Sequence, residues 1–228
     1  MLDGHGPERK GQSMGERRRW QAEADRLGNA DPSDPTGWFE ELWASAGVGD
    51  VTTPWDRTEP HPALASWPAP TPGGRAVVVG CGLGADAEHL ARLGWATTAF
   101  DVSPSAVTAA RERNAGSAVT YAVADLTALP RDWVGAFDLV VEVFTVQAVN
   151  RSIRAELVSG VRSLVAPGGT LLVVQAATDV PDGEGPPWPL TRAEVELFAA
   201  EGLSTVTLER LAAPAGTRAI WRAVLRRT

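Results

Sequence analysis

Arg75–Asp101 reads RAVVVGCGLGADAEHLARLGWATTAFD. The short, mostly β-branched run Ala76–Val79 suits a strand buried on both faces of a parallel sheet. It ends in Gly80, Gly82 and Gly84. Ala85 to Leu93 then places Ala87, Leu90 and Ala91 at helical spacing. A second strand is expected from Ala96 to Phe100, and Asp101 follows it. Strand, glycine turn, helix, strand and acid together form the layout of a nucleotide-type half-site. Glycines admit positive φ and let a ligand approach bare main chain. The helix aims its N-terminal N–H groups at the same point. A carboxylate at the tip of the next strand can accept both hydrogen bonds of a ribose diol. Gly80 and Asp101 are 21 positions apart, near the roughly 20 expected of a ribose-reading acid.

Gly80, Gly82 and Ala85 satisfy the dinucleotide pattern G-x-G-x-x-G/A. Asp86 follows at once, however, where a pyrophosphate would lie, so a ligand bearing an ammonium group fits better. The stretch resembles motif I of the Rossmann-like, class I S-adenosylmethionine-dependent methyltransferases. The resemblance implies S-adenosyl-L-methionine as cofactor, with Gly80, Cys81 and Gly82 along its methionine part and Asp101 and Val102 at the ribose. That family often carries an acid two places before the first glycine, and here the position is Val78.

Outward from this unit, Ser103 and Pro104 start the next helix with an N-cap and a first-turn proline. Strands are expected over Ala118–Val123, Phe137–Val143, Thr170–Gln175, Ser204–Leu211 and Arg218–Leu225, with a helix from Asn150 to Leu164. Thr191 and Glu194 make a capping box for a further helix. The family resemblance places Asp125 at the adenine amino group and Leu126 on the ring; otherwise Asp125 caps a turn. Glu142, Phe144, Thr145 and Gln147 lie at or past the tip of the fourth strand, next to the switch in strand order where such sheets bind ligands. They are expected to face the transferred methyl or the acceptor, and a buried Glu142 would find a partner in the cofactor's ammonium.

The fold class is therefore α/β, a Rossmann-like, seven-stranded and mostly parallel sheet with helices on both faces and a C-terminal antiparallel hairpin. Residues 1–35 form a polar, mobile leader in which Arg17–Leu27 could make a helix. Residues 36–74 form a tryptophan-rich, then proline-rich approach, and 75–228 the binding domain. Nine tryptophans against one tyrosine is unusual, and Trp38, Trp43 and Trp55 all precede the first strand. They form either a hydrophobic plug or a lid whose aromatic faces favour a sulfonium. A Trp-containing helix leading to Pro54-Trp55-Asp56 is similar to the thiopurine and halide/thiol methyltransferase branch, as is Gly185-Pro186-Pro187-Trp188. That resemblance sets Trp38 and Trp55 against the cofactor, and Trp43 and Trp188 beside a small, apolar acceptor.

With 228 residues, 44% hydrophobic and 21% charged, the chain has ordinary globular composition for one sizeable domain. A net charge of −7 argues against nucleic acid or an anionic membrane as partner. The single cysteine, Cys81, permits no internal disulfide, and three scattered histidines with it make no standard metal site. A cytoplasmic monomer or weak homodimer with a small-molecule acceptor is the expectation. The chemistry expected is in-line methyl transfer governed by proximity. A thiol acceptor needs no base, whereas an oxygen acceptor would draw on Asp56 or Glu142; methyl transfer to oxygen or nitrogen is the alternative. His61, in a Pro-His-Pro context, reads as a linker residue and His89 as structural. A noncatalytic nucleotide binder is the further alternative.

Overall fold

The computed structural model describes residues 24, 26–28, 34–47, 56–181, 185–212 and 218–228, with backbone only at 46 and 47. Pro54, Trp55 and most of the leader lie outside the described residues.

Seven strands form one sheet: β1 (Arg75–Val79), β2 (Ala96–Asp101), β3 (Thr120–Val123), β4 (Phe137–Val143), β5 (Val165–Ala176), β6 (Leu203–Leu211) and β7 (Ile220–Arg227). Their order is β3-β2-β1-β4-β5-β7-β6. The first five are parallel, and β7 pairs antiparallel with both β5 and β6. Central β1 buries both faces, and its side chains alternate between two cores. Val77 and Val79 join one core with Phe137, Val140, Leu157 and Val161. Ala76 and Val78 join the other with Ala87, Leu90, Val107 and Ala110. Each fully buried valine contributes about 1.5–3 kcal/mol of transfer free energy, so an apolar run without alternation fits a strand covered on both sides. Val78 is locked into this core at 2% exposure.

The helices are α1 (Trp38–Gly47), α2 (Pro62–Ala65), α3 (Ala85–Arg92), α4 (Pro104–Arg113), α5 (Arg154–Ser163) and α6 (Arg192–Glu196). Ser103 Oγ accepts from Ala106 N at 3.0 Å and caps α4. The Thr191–Glu194 capping box opens α6. Several boundaries differ from expectation, β3 beginning at Thr120 and β7 running Ile220–Arg227 among them. β5 begins at Val165, because its first residue already pairs with Phe137 before a register shift. The segment from Asn150 opens with a 3-10 turn, Arg151–Ile153, before α5. The Pro-rich approach makes a helical turn at Pro62–Ala65, with His61 Nδ1 accepting from Ala63 N as its cap.

After β3 the chain returns to the far side of β1, so the strand order switches between β1 and β4. Open α/β sheets bind ligands outside the C-terminal strand ends at such a point. Gly80, Asp101, Ala124 and Phe144 follow or end the strands there.

Candidate functional site

A cavity of about 390 Å³ opens at the switch point. Its floor is the glycine turn. Gly80 has φ +59°, and a Cβ on it would meet Thr145 Oγ1 at 2.4 Å. The position therefore needs glycine for conformation and for clearance. Gly82, at φ +49°, also lines the cavity and lies under Trp43. Cys81 lines it too; burial pushes the thiol pKa well up, so it stays a neutral thiol.

Asp101 ends β2 at 8% exposure. Its Oδ2 accepts from Gly82 N at 3.0 Å and its Oδ1 from Ser103 N at 3.1 Å. Burial raises its pKa against the lowering effect of the main-chain N–H groups of Ser103, Gly82 and Val102. Each oxygen retains accepting capacity, and hydroxyl donors from a ligand would favour the charged form. Val102, Ala124, Asp125 and Leu126 continue this wall, and Ala148, Val149 and Leu157 add apolar surface. Asp125 Oδ1 accepts from Thr127 N and Oγ1 at 2.7 and 2.8 Å. It thus caps a turn and lines the cavity at once.

At the β4 tip, Phe144 and Thr145 line the cavity. Phe144 is held at φ +62°, with its N–H donating to Val174 O at 2.9 Å. Thr145 Oγ1 donates to Val79 O at 3.0 Å. Glu142 is not part of the wall. It is fully buried, accepting from Thr145 N at 2.7 Å, Val146 N at 2.9 Å and Gln175 Nε2. Its partner is the turn that carries Phe144, which corrects the expectation of an ammonium contact. Burial pushes its pKa up to about 7, against those hydrogen bonds. Gln147 also turns away from the cavity: its Oε1 accepts from Ala176 N at 2.6 Å and its carbonyl from Trp188 N at 2.7 Å. Trp188 is 3% exposed and belongs to this buried joint, with its own carbonyl accepting from Arg154 Nη2 at 2.9 Å. Neither lines the cavity as an acceptor contact.

Only part of the tryptophan-rich approach reaches the site. Trp43 lines the cavity and packs on Leu83 and Ala106. Trp38 does not line it, because its side chain packs with Ala24, Leu27 and Leu42. Residues four apart share a helix face and residues five apart do not, so Phe39 accompanies Trp43 into the wall. Trp55 lies outside the described residues. Asp56 is on the surface, paired with Arg113 Nη1 at 2.7 Å, and is not a cavity base.

Phe39, Arg57 and Leu157 line the wall without having been singled out from the sequence, and so do His61, read there as a linker residue, and Asp86, read there only as an acid that disfavours a pyrophosphate. Asp86 is 6% exposed and gathers two of them. Arg57 Nη2 donates to its Oδ2 at 2.9 Å and His61 N to its Oδ1 at 2.7 Å. The His61 ring meets Phe144 edge-on, with centroids 4.9 Å apart. Burial, reinforced by the Arg57 charge, lowers the His61 pKa to about 4. His61 is therefore a cavity residue and not only a linker.

Glu40 ties α1 to the start of α4, beside the β2 end of the site. Its carboxylate accepts from Ser103 Oγ at 2.5 Å, Ser105 N at 3.1 Å and Ser105 Oγ at 2.6 Å.

Residues 37–215 match the thiopurine S-methyltransferase family. The chain belongs to that family. It is similar to a probable thiol methyltransferase of Arabidopsis thaliana, with 31% identity over 169 residues covering 71% of this chain and 70% of the relative. A structure from the conversion of a disulfide bond into a thioacetal group during echinomycin biosynthesis shares the fold, with a TM-score of 0.68 and 23% identity over 83% and 93% of the two chains. A glycopeptide N-methyltransferase complexed with S-adenosyl-L-methionine shares it at TM-score 0.56 and 18% identity, over 73% and 91%. The protein is a class I methyltransferase with S-adenosylmethionine as cofactor. The cavity suits that molecule: bare glycine main chain, a buried acid with accepting capacity, and an apolar flank beside Asp125. No described helix is long and apolar enough to cross a membrane.

Proposed function

We propose that this methyltransferase acts on a small thiol. One observation carries the reading: among the described wall residues at the β4 side, the one imidazole, His61, has its acceptor nitrogen occupied and the one carboxylate, Asp86, is paired with a guanidinium. His61 Nδ1 accepts from Ala63 N at 3.1 Å, so the neutral imidazole carries its proton on Nε2 and is a donor. Asp86 is committed to Arg57 and His61 N. Asp101 and Asp125 stand on the β2–β3 side. A phenol, with a reference pKa near 10, needs a base at neutral pH; a thiol near 8.5 supplies a usable thiolate fraction by itself. The name of the Arabidopsis relative and the family description agree with sulfur as the acceptor atom.

S-adenosylmethionine, when bound, supplies an electrophilic methyl group on a sulfonium. The chain's part is positioning. Asp101 orients the ribose, the Gly80–Gly82 turn gives clearance for the amino-acid tail, and Phe39, Trp43 and Phe144 present apolar surface that limits water. Alignment of nucleophile and methyl is the main lever in such a site, and aromatic faces favour a nearby cation.

The test is turnover with isotopically labelled methyl donor against matched thiols, phenols and amines, read by mass analysis. Methylated thiols are expected, with a rate that rises with the thiolate fraction as pH increases. Turnover of phenols or amines with thiols inert would overturn the assignment.

A further inference from the structure

Three contacts fix His61 at the β4 side of the cavity. Its main-chain N–H donates to Asp86 Oδ1 at 2.7 Å, its Nδ1 accepts from Ala63 N at 3.1 Å, and its ring meets Phe144 edge-on with centroids 4.9 Å apart. With Nδ1 occupied, the neutral imidazole carries its proton on Nε2. That Nε2 has no hydrogen-bond partner among the described residues and, unlike Arg57 Nη1, is not sealed from solvent; the residue lines the cavity. Burial and the Arg57 charge hold the ring's pKa down at about 4, against the raising effect of Asp86. The group is therefore a neutral donor that keeps its Nε2 proton at neutral pH. The cavity also presents the apolar side chains of Phe39, Trp43, Val143 and Phe144. A thiolate entering such a wall loses hydration, and desolvation alone would push the thiol's pKa up. One fixed donor at the sulfur opposes that cost.

We propose that His61 is a catalytic residue on the acceptor side, its Nε2–H donating to the acceptor's sulfur while that atom bears the thiolate charge. The assignment rests on the thiol reading above and deepens it. The thiol gives its proton to water before transfer. The thiolate's lone pair then forms the new S–C bond to the methyl group, the donor's sulfur takes the electron pair of the broken one and becomes a neutral thioether, and His61 keeps its own proton. In thiol–disulfide exchange a thiolate's nucleophilicity falls only about half as steeply as its pKa. Below the thiol's pKa, a lowered value thus gains more thiolate than it costs in reactivity. The other titratable wall groups are Arg57 and Asp86, paired together, Cys81, and Asp101 with Asp125 on the β2–β3 side. Glu142, behind the Phe144 turn, titrates at about 7.

The test compares the wild type with His61→Asn. Asn is a good helix cap, so Ala63 N keeps a partner, while the ring donor is lost. Two thiols of similar size are used: benzyl thiol, little ionised at neutral pH, and thiophenol, largely ionised there. For each, kcat/KM is followed across pH, and the affinity for S-adenosylhomocysteine is measured by calorimetry. Glu142 titrates in both proteins and cancels in their ratio. For benzyl thiol at neutral pH the variant should lose about ten-fold or more in kcat/KM, the gap narrowing as pH rises past that thiol's own pKa. Thiophenol should lose about three-fold or less, and S-adenosylhomocysteine affinity should stay within about two-fold. Equal losses for both thiols at every pH would show that the ring only shapes the wall, and would overturn the role. A ten-fold weaker S-adenosylhomocysteine would assign the Nε2–H to the methyl donor instead, and would overturn it too. An active wild type with an unaffected variant sinks the role alone, whereas a wild type inert toward both thiols sinks the sulfur reading and the role together.

Discussion

The main-chain N–H of Gly82 donates to Asp101 Oδ2 at 3.0 Å. This bond joins the glycine turn after β1 to the acid that ends β2, so two parts of the cavity wall are held by each other. Replacing Asp101 with Ala removes this brace and two acceptors for a ribose diol. Hydrogen bonds to a charged group are worth about 1.5–3 kcal/mol each. Asp101→Ala should therefore weaken S-adenosylhomocysteine by roughly 30-fold or more, measured by calorimetry; unchanged affinity would remove Asp101 from the site.

Gly80 and Gly82 should respond differently to alanine. Both have positive φ, with a left-handed penalty of about 1–2 kcal/mol. Only at Gly80 does the added Cβ also collide, at 2.4 Å from Thr145 Oγ1; at Gly82 it makes ordinary contact with Trp43 at 3.5 Å. Gly80→Ala should lower Tm by more than Gly82→Ala, for which a loss of about 2–8 °C is expected. Equal losses in a thermal melt would show that the Thr145 turn yields easily.

Glu40 carries the attachment of α1 to α4. Burial alone would raise its pKa, but the hydrogen bonds from Ser103 and Ser105 outweigh this and lower it. A lowered acid stabilises the folded state above its unfolded pKa, and that contribution is lost as pH falls through the folded value. Glu40→Gln should lose about 1–3 kcal/mol at pH 7. The gap from the wild type should narrow as pH falls below about 4.5, which denaturant titration at several pH values can follow.

Glu142 has the opposite sign. Burial lifts its folded pKa to about 7, above the ordinary glutamate value of 4.5, so the folded state binds its proton more tightly. The stabilising contribution is complete below about 4.5 and is lost as pH rises through about 7. Wild-type stability measured relative to Glu142→Gln should therefore decline between pH 5 and 8, by up to a few kcal/mol. A difference independent of pH would refute the shift.

The sheet was legible because the central strands carry apolar runs, Ala76–Val79, Leu139–Val141 and Leu171–Val174, and because Ser103-Pro104 and Thr191–Glu194 carry their capping chemistry locally. The glycine turn and Asp101 were legible for the same reason: their roles follow from spacing along one βαβ unit. Side-chain direction was harder to read. Glu142 and Gln147 sit where expected along the chain, yet both bond inward to backbone that only the fold brings near. Trp188 similarly faces Gln147 and Arg154, 41 and 34 positions away. Asp86, Arg57 and His61 come together across 29 and 25 positions, and no local pattern announces such a meeting. Phe39 did leave a signal, because it shares a helix face with Trp43 and Trp38 does not.

Among the described residues of the approach, 36–47 and 56–62, none joins a strand of the sheet, while Thr36, Phe39, Trp43, Arg57, His61 and Pro62 line the cavity. Its ties to the remainder include Glu40 on Ser103 and Ser105, Arg57 with His61 on Asp86, Asp56 on Arg113, and Trp43 packed on Leu83 and Ala106. Exchanges at Phe39, Trp43 or His61 should therefore reshape this strip of the cavity wall, while Asp101 and the turn beneath it keep their own internal bracing.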